Sequence, residues 1–258
     1  MTQKRKPTRK WPSSLFLSAK TCMGCNRSGV KMTKEHFFPQ WLIERAGTDK
    51  TGIKWINGIR VPALAATVPL CARCNRDMGN ELEGPAARIF SDLESGRGLS
   101  DREAELLVRW LWKFEGLAWK LVNPRGTYTT KYTLAQRVLQ PIDEIRGSLI
   151  LAVGMIDKID PSFGDAPMGI DSFNRLNAIF VAGVFLSVAL MVLLEDFANL
   201  VPPEFSQYHF TSKPDASSDA KLFYPKVGFS NDTEAVLKTA LVARTLSDLH
   251  DWIWLKQR

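Results

Sequence analysis

Val68-Pro69-Leu70-Cys71-Ala72-Arg73-Cys74-Asn75 completes a pattern that Cys22-Met23-Gly24-Cys25 begins. These two CxxC turns contain all four cysteines of the chain. One CxxC turn presents two thiolates from a single short loop. Two of them supply the tetrahedron of sulfur that a closed structural zinc site takes. The gap between the pairs is longer than in compact zinc fingers and leaves room for a hairpin and a loop. No secretory leader is expected ahead of the first pair. The nearest imitation, Ser14-Leu15-Phe16-Leu17-Ser18-Ala19, has an apolar centre shorter than the ~7–15 residues such a leader needs, and Pro12 sits beside it. The expected compartment is therefore the cytoplasm, where paired cysteines read as a metal site before they read as disulfides.

Working outward from the cysteines, residues 1–19 form a basic arm broken by Pro7 and Pro12, and residues 20–95 form the cysteine module. Within the module, Pro39 to Ala46 suits a short helix with proline in its first turn. Asn57-Gly58 between Gly52–Ile56 and Ile59–Val61 is a hairpin signal. From Ala72 to about Leu93 the pattern is helical, with Met78, Leu82, Ala86 and Phe90 four residues apart.

Ser95-Gly96-Arg97-Gly98 is a break, and residues 100–258 follow as a mixed helix and strand domain. Ser100 with Glu103 is a capping box. It opens a long helix to about Val122 with an apolar stripe through Leu107, Trp110, Leu111, Phe114, Leu117, Ala118 and Leu121. Asn123-Pro124-Arg125-Gly126 stops it. A weaker helix over Leu134–Ile145 is disturbed by Pro141. Leu149 to Ile156 has the length of a strand. Ala178 to Leu194 carries no charge, yet it falls short of the ~20 residues of a membrane span. Its β-branched and aromatic content predicts two buried strands joined tightly around Ala182-Gly183. No membrane association is expected. Asn231 with Glu234 caps a terminal helix through Val236, Leu237, Leu241, Leu246, Leu249, Trp252 and Leu255. The fold class is α+β.

The 258 residues are 45% hydrophobic and 24% charged, which excludes a disordered, collagen-like or coiled-coil chain. The net charge of +7 favours an acidic partner such as nucleic acid. That charge is unevenly placed. Nine of the 34 basic residues (Lys4, Arg5, Lys6, Arg9, Lys10, Lys20, Arg27, Lys31 and Lys34) precede the first acid, Glu35, and the remainder of the chain is slightly acidic. Lys31, Lys34, Arg73 and Arg76 lie around the cysteine pairs, where they can meet phosphate. Of the eight tryptophans, Trp110, Trp112, Trp252 and Trp254 fall in helical patterns and are expected in the core. Trp41 and Trp55 lie nearer the module's polar residues, and core packing is the plainer reading for them too. His209 and His250 are isolated, as surface or packed histidines are.

Between the two cysteine pairs stands Glu35-His36-Phe37-Phe38-Pro39, a carboxylate beside an imidazole at the end of a strand-like stretch. Neighbours on a strand face opposite ways, so both groups reach one site only where the strand ends or distorts. Cys22-Met-Gly-Cys25, Glu35-His36-Phe37-Phe38-Pro39 and Leu70-Cys71-Ala-Arg-Cys74-Asn75, with Leu82-Glu83 further on, together resemble the HNH endonuclease superfamily. The form resembled is its zinc-stabilised ββα-metal, treble-clef type in a bacterial subgroup. The resemblance covers about residues 20–92.

The resemblance implies a hydrolase acting on DNA phosphodiester bonds; the sequence does not separate DNA from RNA. It implies that Cys22, Cys25, Cys71 and Cys74 hold a structural zinc ion. His36 is then the general base, and Glu35 and Asn75 hold a catalytic divalent metal such as Mg²⁺ or Mn²⁺. Nucleases of this kind serve defence or mobile elements. One piece of the pattern is missing. The family's middle polar residue, often Asn a few positions before the second cysteine pair, has no counterpart in Pro62-Ala-Leu-Ala-Ala-Thr-Val-Pro-Leu70, where Thr67 is the sole polar side chain. Asn57 is the available substitute. Asn80 and Glu83 are the polar groups further along the helix, with Glu83 suited to bracing a loop. The alternative reading is a non-catalytic treble-clef zinc module that binds nucleic acid or protein. The second half is expected to recognise a partner, regulate, or form a homodimer.

Overall fold

The computed structural model describes residues 20–54, 60–122, 132–159, 168–173, 180–214 and 221–256. The basic arm, Trp55 with the Asn57-Gly58 turn, the Asn123–Gly126 stop and the side chains from residue 247 onward lie outside the described residues. The fold is α+β. In the first part, β1 (Met32–His36) is followed by two short helices, α1 (Gln40–Arg45) and α2 (Thr48–Thr51). The strands β2 (Ile53–Lys54) and β3 (Arg60–Val61) pair antiparallel, as the hairpin signal requires of its flanks. Then β4 (Thr67–Cys71) returns antiparallel to β1 and runs straight into α3 (Ala72–Met78).

The helix begun by α3 widens into a π turn over Gly79–Glu83 and continues as α4 (Gly84–Glu94). Pro85 accounts for the widened turn. It has no N–H to give the carbonyl four residues back, and its ring crowds that carbonyl. Met78, Leu82, Ala86 and Phe90 are all fully buried. After the turn at Gly96, Leu99 exchanges two backbone hydrogen bonds with Phe223 (2.7 and 2.8 Å). A Cβ on Gly98 would lie 2.8 Å from the Phe223 carbonyl oxygen, so this strap needs glycine.

The expected long helix is α5 (Asp101–Val122), opened by the Ser100–Glu103 box. The Ser100 backbone N–H and hydroxyl both donate to the Glu103 carboxylate at 2.8 Å. Burial pushes the Glu103 carboxyl up, but these two bonds and Arg97 outweigh it and hold it below its ordinary range. α6 (Leu134–Leu139) ends ahead of Pro141, shorter than the sequence pattern allowed.

The larger sheet contains β5 (Leu149–Lys158), β6 (Met168–Phe173), β7 (Phe180–Phe185), β8 (Val188–Leu194), β9 (Ser206–His209) and β10 (Val227–Asn231). Its order is β10-β5-β8-β7-β6. β9 covers the first half of β5's free edge antiparallel, and β10 covers the second half in parallel. The uncharged stretch is the hairpin β7–β8, as expected. Its join is Leu186-Ser187, however, and Ala182-Gly183 lies within β7. Leu186 takes a left-handed φ of 57°, a conformation that glycine or asparagine usually supplies. Its side chain is buried, and that packing holds a turn that carries no turn residue.

Both faces of this sheet are covered, which is why its strands read as unbroken apolar runs. Leu149, Leu151, Val153, Val181, Phe185, Leu190 and Val192 join one core with α3 to α6 and the cysteine module. Ile150, Ala152, Ala182, Val184, Met191 and Leu193 join a second core with α7 (Asp232–Lys256). Gly154 faces the second core, where a Cβ would stand 2.3 Å from the Phe229 ring. The first core runs without interruption across the Ser95–Gly98 break.

Trp110 is the hub of that core. It is fully buried and contacts the rings of Phe90, Phe114, Phe185 and Trp41 at centroid distances of 4.7–6.2 Å. Trp110→Ala is expected to destabilise the protein by ~3–5 kcal/mol, as large-to-small changes at buried aromatic positions do. Urea unfolding followed by far-UV circular dichroism checks this. A loss below about 1 kcal/mol would contradict the hub assignment.

Candidate metal centre and the polar residues beside it

A small backbone hairpin delivers the first two cysteines. The Cys22 N–H donates to the Arg27 carbonyl and the Asn26 N–H to the Cys22 carbonyl, both at 2.9 Å. Asn26 closes the turn with a φ of 58°, which asparagine tolerates. The third cysteine ends β4 and the fourth lies in the first turn of α3. The Met23 N–H bonds the Pro69 carbonyl at 3.0 Å and so locks the first turn against the second.

Gly24 packs closely, since a Cβ there would meet the Cys74 side chain at 3.2 Å and the Met78 methyl at 3.3 Å, tighter than most such contacts. The Sγ atoms of Cys22, Cys25, Cys71 and Cys74 all lie within 4.8 Å of one another. All four are free thiols, and Cys22, Cys71 and Cys74 are buried. Among the described residues this is the one group of three or more Cys, His, Asp or Glu that metal ligation would fit. The two CxxC turns thus form a cluster that fits a metal ion such as zinc.

Without a cation the four thiols cannot all ionise together. Burial pushes the Cys22 thiol up, and burial with the neighbouring Cys22 and Cys71 sulfurs pushes Cys74 up strongly. Cys71 goes the other way, to about 7. Burial raises it, but the Cys74 N–H and the side chains of Cys74, Cys22 and Cys25 outweigh that. Backbone N–H groups already point at two sulfurs: Cys71 N–H to Cys22 Sγ at 3.1 Å and Cys74 N–H to Cys71 Sγ at 3.5 Å. Such donors stabilise thiolate, and a divalent cation supplies the remaining charge compensation.

Glu35 and His36 end β1, opposite Val68 and Thr67 of β4. The register is regular, so Thr33 and Glu35 share one face of the strand and His36 falls on the other. Past His36, Phe37 and Phe38 are buried against Phe114 of α5, at ring distances of 5.8 and 5.5 Å. Those two rings fix where the strand ends. The His36 Nδ1 atom is buried and has no hydrogen-bond partner among the described residues. No described residue of the 60–70 segment thus takes the place of the missing middle asparagine, and Asn57 lies outside the described residues.

Asn75 follows Cys74 on α3 and donates from Nδ2 to the Thr33 hydroxyl at 2.9 Å. That hydroxyl donates in turn to the Leu70 carbonyl at 2.9 Å. Asn75 therefore reaches β1 at Thr33, which shares a strand face with Glu35. Sequence reasoning missed Lys113, which approaches that face from α5. Its Nζ donates to Glu35 Oε1 at 3.0 Å and to Glu83 Oε1, while Trp110 Nε1 donates to Glu83 Oε2 at 3.3 Å. Lys113 is fully buried. Burial alone would lower its affinity for a proton, but Glu83 and then Glu35 outweigh that and hold the ammonium above its ordinary range. One signal for Lys113 was present in the sequence: it is the single charge inside Leu111-Trp112-Lys113-Phe114.

A hard divalent cation takes oxygen donors and keeps several waters, so one carboxylate and one amide can suffice. Glu35 and Asn75 are donors of that kind. Only Oε1 of Glu35 is engaged by Lys113. By donor chemistry each is compatible with such an ion, while the one group of three or more candidate ligands that converges among the described residues is the four-cysteine cluster. Lys31, Lys34, Arg73 and Arg76 are all exposed. Arg73 and Arg76 both lean on Asp77, at 3.4 and 3.0 Å, in the kind of surface pair that contributes little and exchanges readily.

No family of known proteins, no curated protein and no solved structure matches the chain. Its chemistry is therefore argued from the residues themselves. Purified protein is expected to carry about one equivalent of zinc by elemental analysis. Cobalt substitution should give the intense sulfur-to-metal charge-transfer bands of a four-thiolate site. Cys71→Ser should lose the metal and the fold of the module together. A folded wild type holding well under one equivalent would rule the site out.

Proposed function

We propose that this chain is a zinc-stabilised HNH-type endonuclease that hydrolyses phosphodiester bonds in DNA, in the cytoplasm, in a defence or mobile-element setting. One arrangement carries the reading. The strands β1 and β4 and the helix α3 form a ββα unit whose helix starts inside the four-cysteine cluster. The same unit holds Glu35-His36 at the end of its first strand and Asn75 on the first turn of its helix. A metal on the four thiolates would brace α3 at its N-terminus and with it the placement of Asn75.

In this reading His36 is the general base. A neutral imidazole can take the proton of an attacking water. Glu35 and Asn75 would hold Mg²⁺ or Mn²⁺. When bound, such an ion stabilises the charge that develops on the leaving 3′-oxygen. The exposed Lys31, Lys34, Arg73 and Arg76 bind the phosphate backbone, a sequence-blind interaction that weakens with salt.

Three observations favour a second reading, a non-catalytic zinc module that binds nucleic acid or protein. Glu35 is already ion-paired, His36 Nδ1 lacks the acceptor that would orient the ring as a base, and the regular register puts His36 on the opposite strand face from Glu35. Nicking of supercoiled plasmid with Mg²⁺ or Mn²⁺ separates the two. The nuclease reading expects metal-dependent nicking that falls about 10²–10⁴-fold in His36→Ala, the share that a positioned base contributes. Wild type that binds DNA and never nicks it would leave the second reading. Replacing Lys31, Lys34, Arg73 and Arg76 together with alanine should also flatten the dependence of binding on salt. The expected reduction in log–log slope is about 3–4, at about 0.9 for each phosphate no longer neutralised. An unchanged slope would move the nucleic-acid surface elsewhere.

A further inference from the structure

We infer that Lys113, braced by Glu83, is a positioning residue for Glu35: it holds one carboxylate oxygen so that the other is directed to a divalent cation. The inference rests on the nuclease reading of Glu35 given above. Three elements far apart in sequence converge on this point, namely the end of β1, the π turn before α4, and the middle of α5. Lys113 meets Glu35 across 78 residues and Glu83 across 30. Glu83 is held a second time by the Trp110 indole. The lysine is fully buried, whereas Glu35 keeps 14% of its side chain exposed. Glu83 keeps 10%, so solvent reaches the cluster at its two carboxylates and not at the lysine.

Packing alone gives no reason for a charge here. A buried ion pair is seldom more stabilising than apolar residues of the same volume, while its geometry is far more specific. The π turn agrees with that. It sets Glu83, at its last position, beside a lysine two helices away, and such turns recur at functional sites. A flexible glutamate at the end of a strand otherwise samples several rotamers. With Oε1 fixed on Nζ and Nζ fixed by Glu83, its direction is set before any cation arrives. Partners that orient a ligating carboxylate typically matter by 10–100-fold in metal affinity.

The test is Mn²⁺ binding to the zinc-loaded full chain, read from the electron paramagnetic resonance signal of free Mn²⁺. Lys113→Met alone would leave two carboxylates buried together, so the variant used is Lys113→Met with Glu83→Gln. That pair removes one positive and one negative charge. The local net charge is unchanged, and positioning is separated from Coulomb attraction. We expect the double variant to retain its zinc and its melting temperature within a few degrees, and to bind Mn²⁺ about 10–100-fold more weakly. Glu35→Gln should abolish the site.

Mn²⁺ affinity within about threefold of wild type in a folded double variant would overturn the inference. So would a wild-type site indifferent to Glu35→Gln. Should the double variant lose its zinc, Glu83→Gln alone keeps the Lys113–Glu35 pair and removes only the brace. A smaller loss of affinity is then expected, and none would overturn the inference. Wild type that binds Mn²⁺ through Glu35 but never cuts DNA would end the nuclease reading, while the affinities would still decide the role of Lys113.

Discussion

Four sulfur atoms within 4.8 Å of one another, on residues that are mostly buried, cannot all ionise without a cation among them. The surrounding backbone is arranged around that constraint. Gly24 lets the Cys74 side chain pack close, 3.2 Å from where a Cβ would be. Asn26 takes a left-handed φ so that the first turn can double back on Cys22. Cys71 ends a strand and caps a helix at once, its sulfur accepting the Cys74 N–H. Through that junction the cluster sets the start of α3 and with it the place of Asn75. The rest of the candidate site is placed by apolar contact: Phe37 and Phe38 on Phe114 decide where β1 stops.

The C-terminal half is part of this construction. α5 brings Lys113 to Glu35, and α6 brings the Ala135 N–H to the Gly24 carbonyl at 2.8 Å, inside the first CxxC turn. A single buried core joins the cysteine module to α5, α6 and one face of the sheet. Motion of the sheet against the module would have to break the Trp110–Phe185 contact within that shared core. The two halves thus share one core, with α5 packed between the module and the sheet.

Much of the fold was legible because its signals are local. The CxxC pairs, the Ser100–Glu103 and Asn231–Glu234 caps, the α5 stripe and the two strands of the uncharged run depend on neighbours a few residues away, and each is found where the pattern puts it. The turn between those strands was misplaced for a physical reason. Leu186 adopts a left-handed φ without being a turn residue, because core packing holds its side chain. Nothing in the local sequence records that. The same holds for α6, whose shortening follows Pro141, and for the π turn, whose cause, Pro85, is visible but whose geometry is not. In the candidate site, Glu35, His36 and Asn75 were found from their neighbours, whereas Lys113 joins them only through an ion pair that spans 78 residues. Helical periodicity places Lys113 beside Trp110 and Phe114 but says nothing of which carboxylates await it.

The lysine also bears on how the missing middle residue is to be understood. The resemblance to the nuclease family implies a middle polar residue a few positions before the second cysteine pair, which holds the loop and so orients the base. Here the steadying comes from the opposite side. Lys113 secures Glu35 by charge, and Phe114, its neighbour on α5, secures Phe37 and Phe38 by packing. A strand end held from α5 needs less from its own loop. That is consistent with a 62–70 segment that is almost wholly apolar and that contributes Ala63, Ala66, Val68 and Leu70 to the core. The exchange is incomplete at one atom. Lys113 can fix a carboxylate, but as a donor without a lone pair it cannot accept from an imidazole N–H, and His36 Nδ1 is left with no described partner. The support is therefore asymmetric: the Glu35 carboxylate has an ion-pair partner, while Nδ1 of the neighbouring imidazole has no hydrogen-bond partner among the described residues.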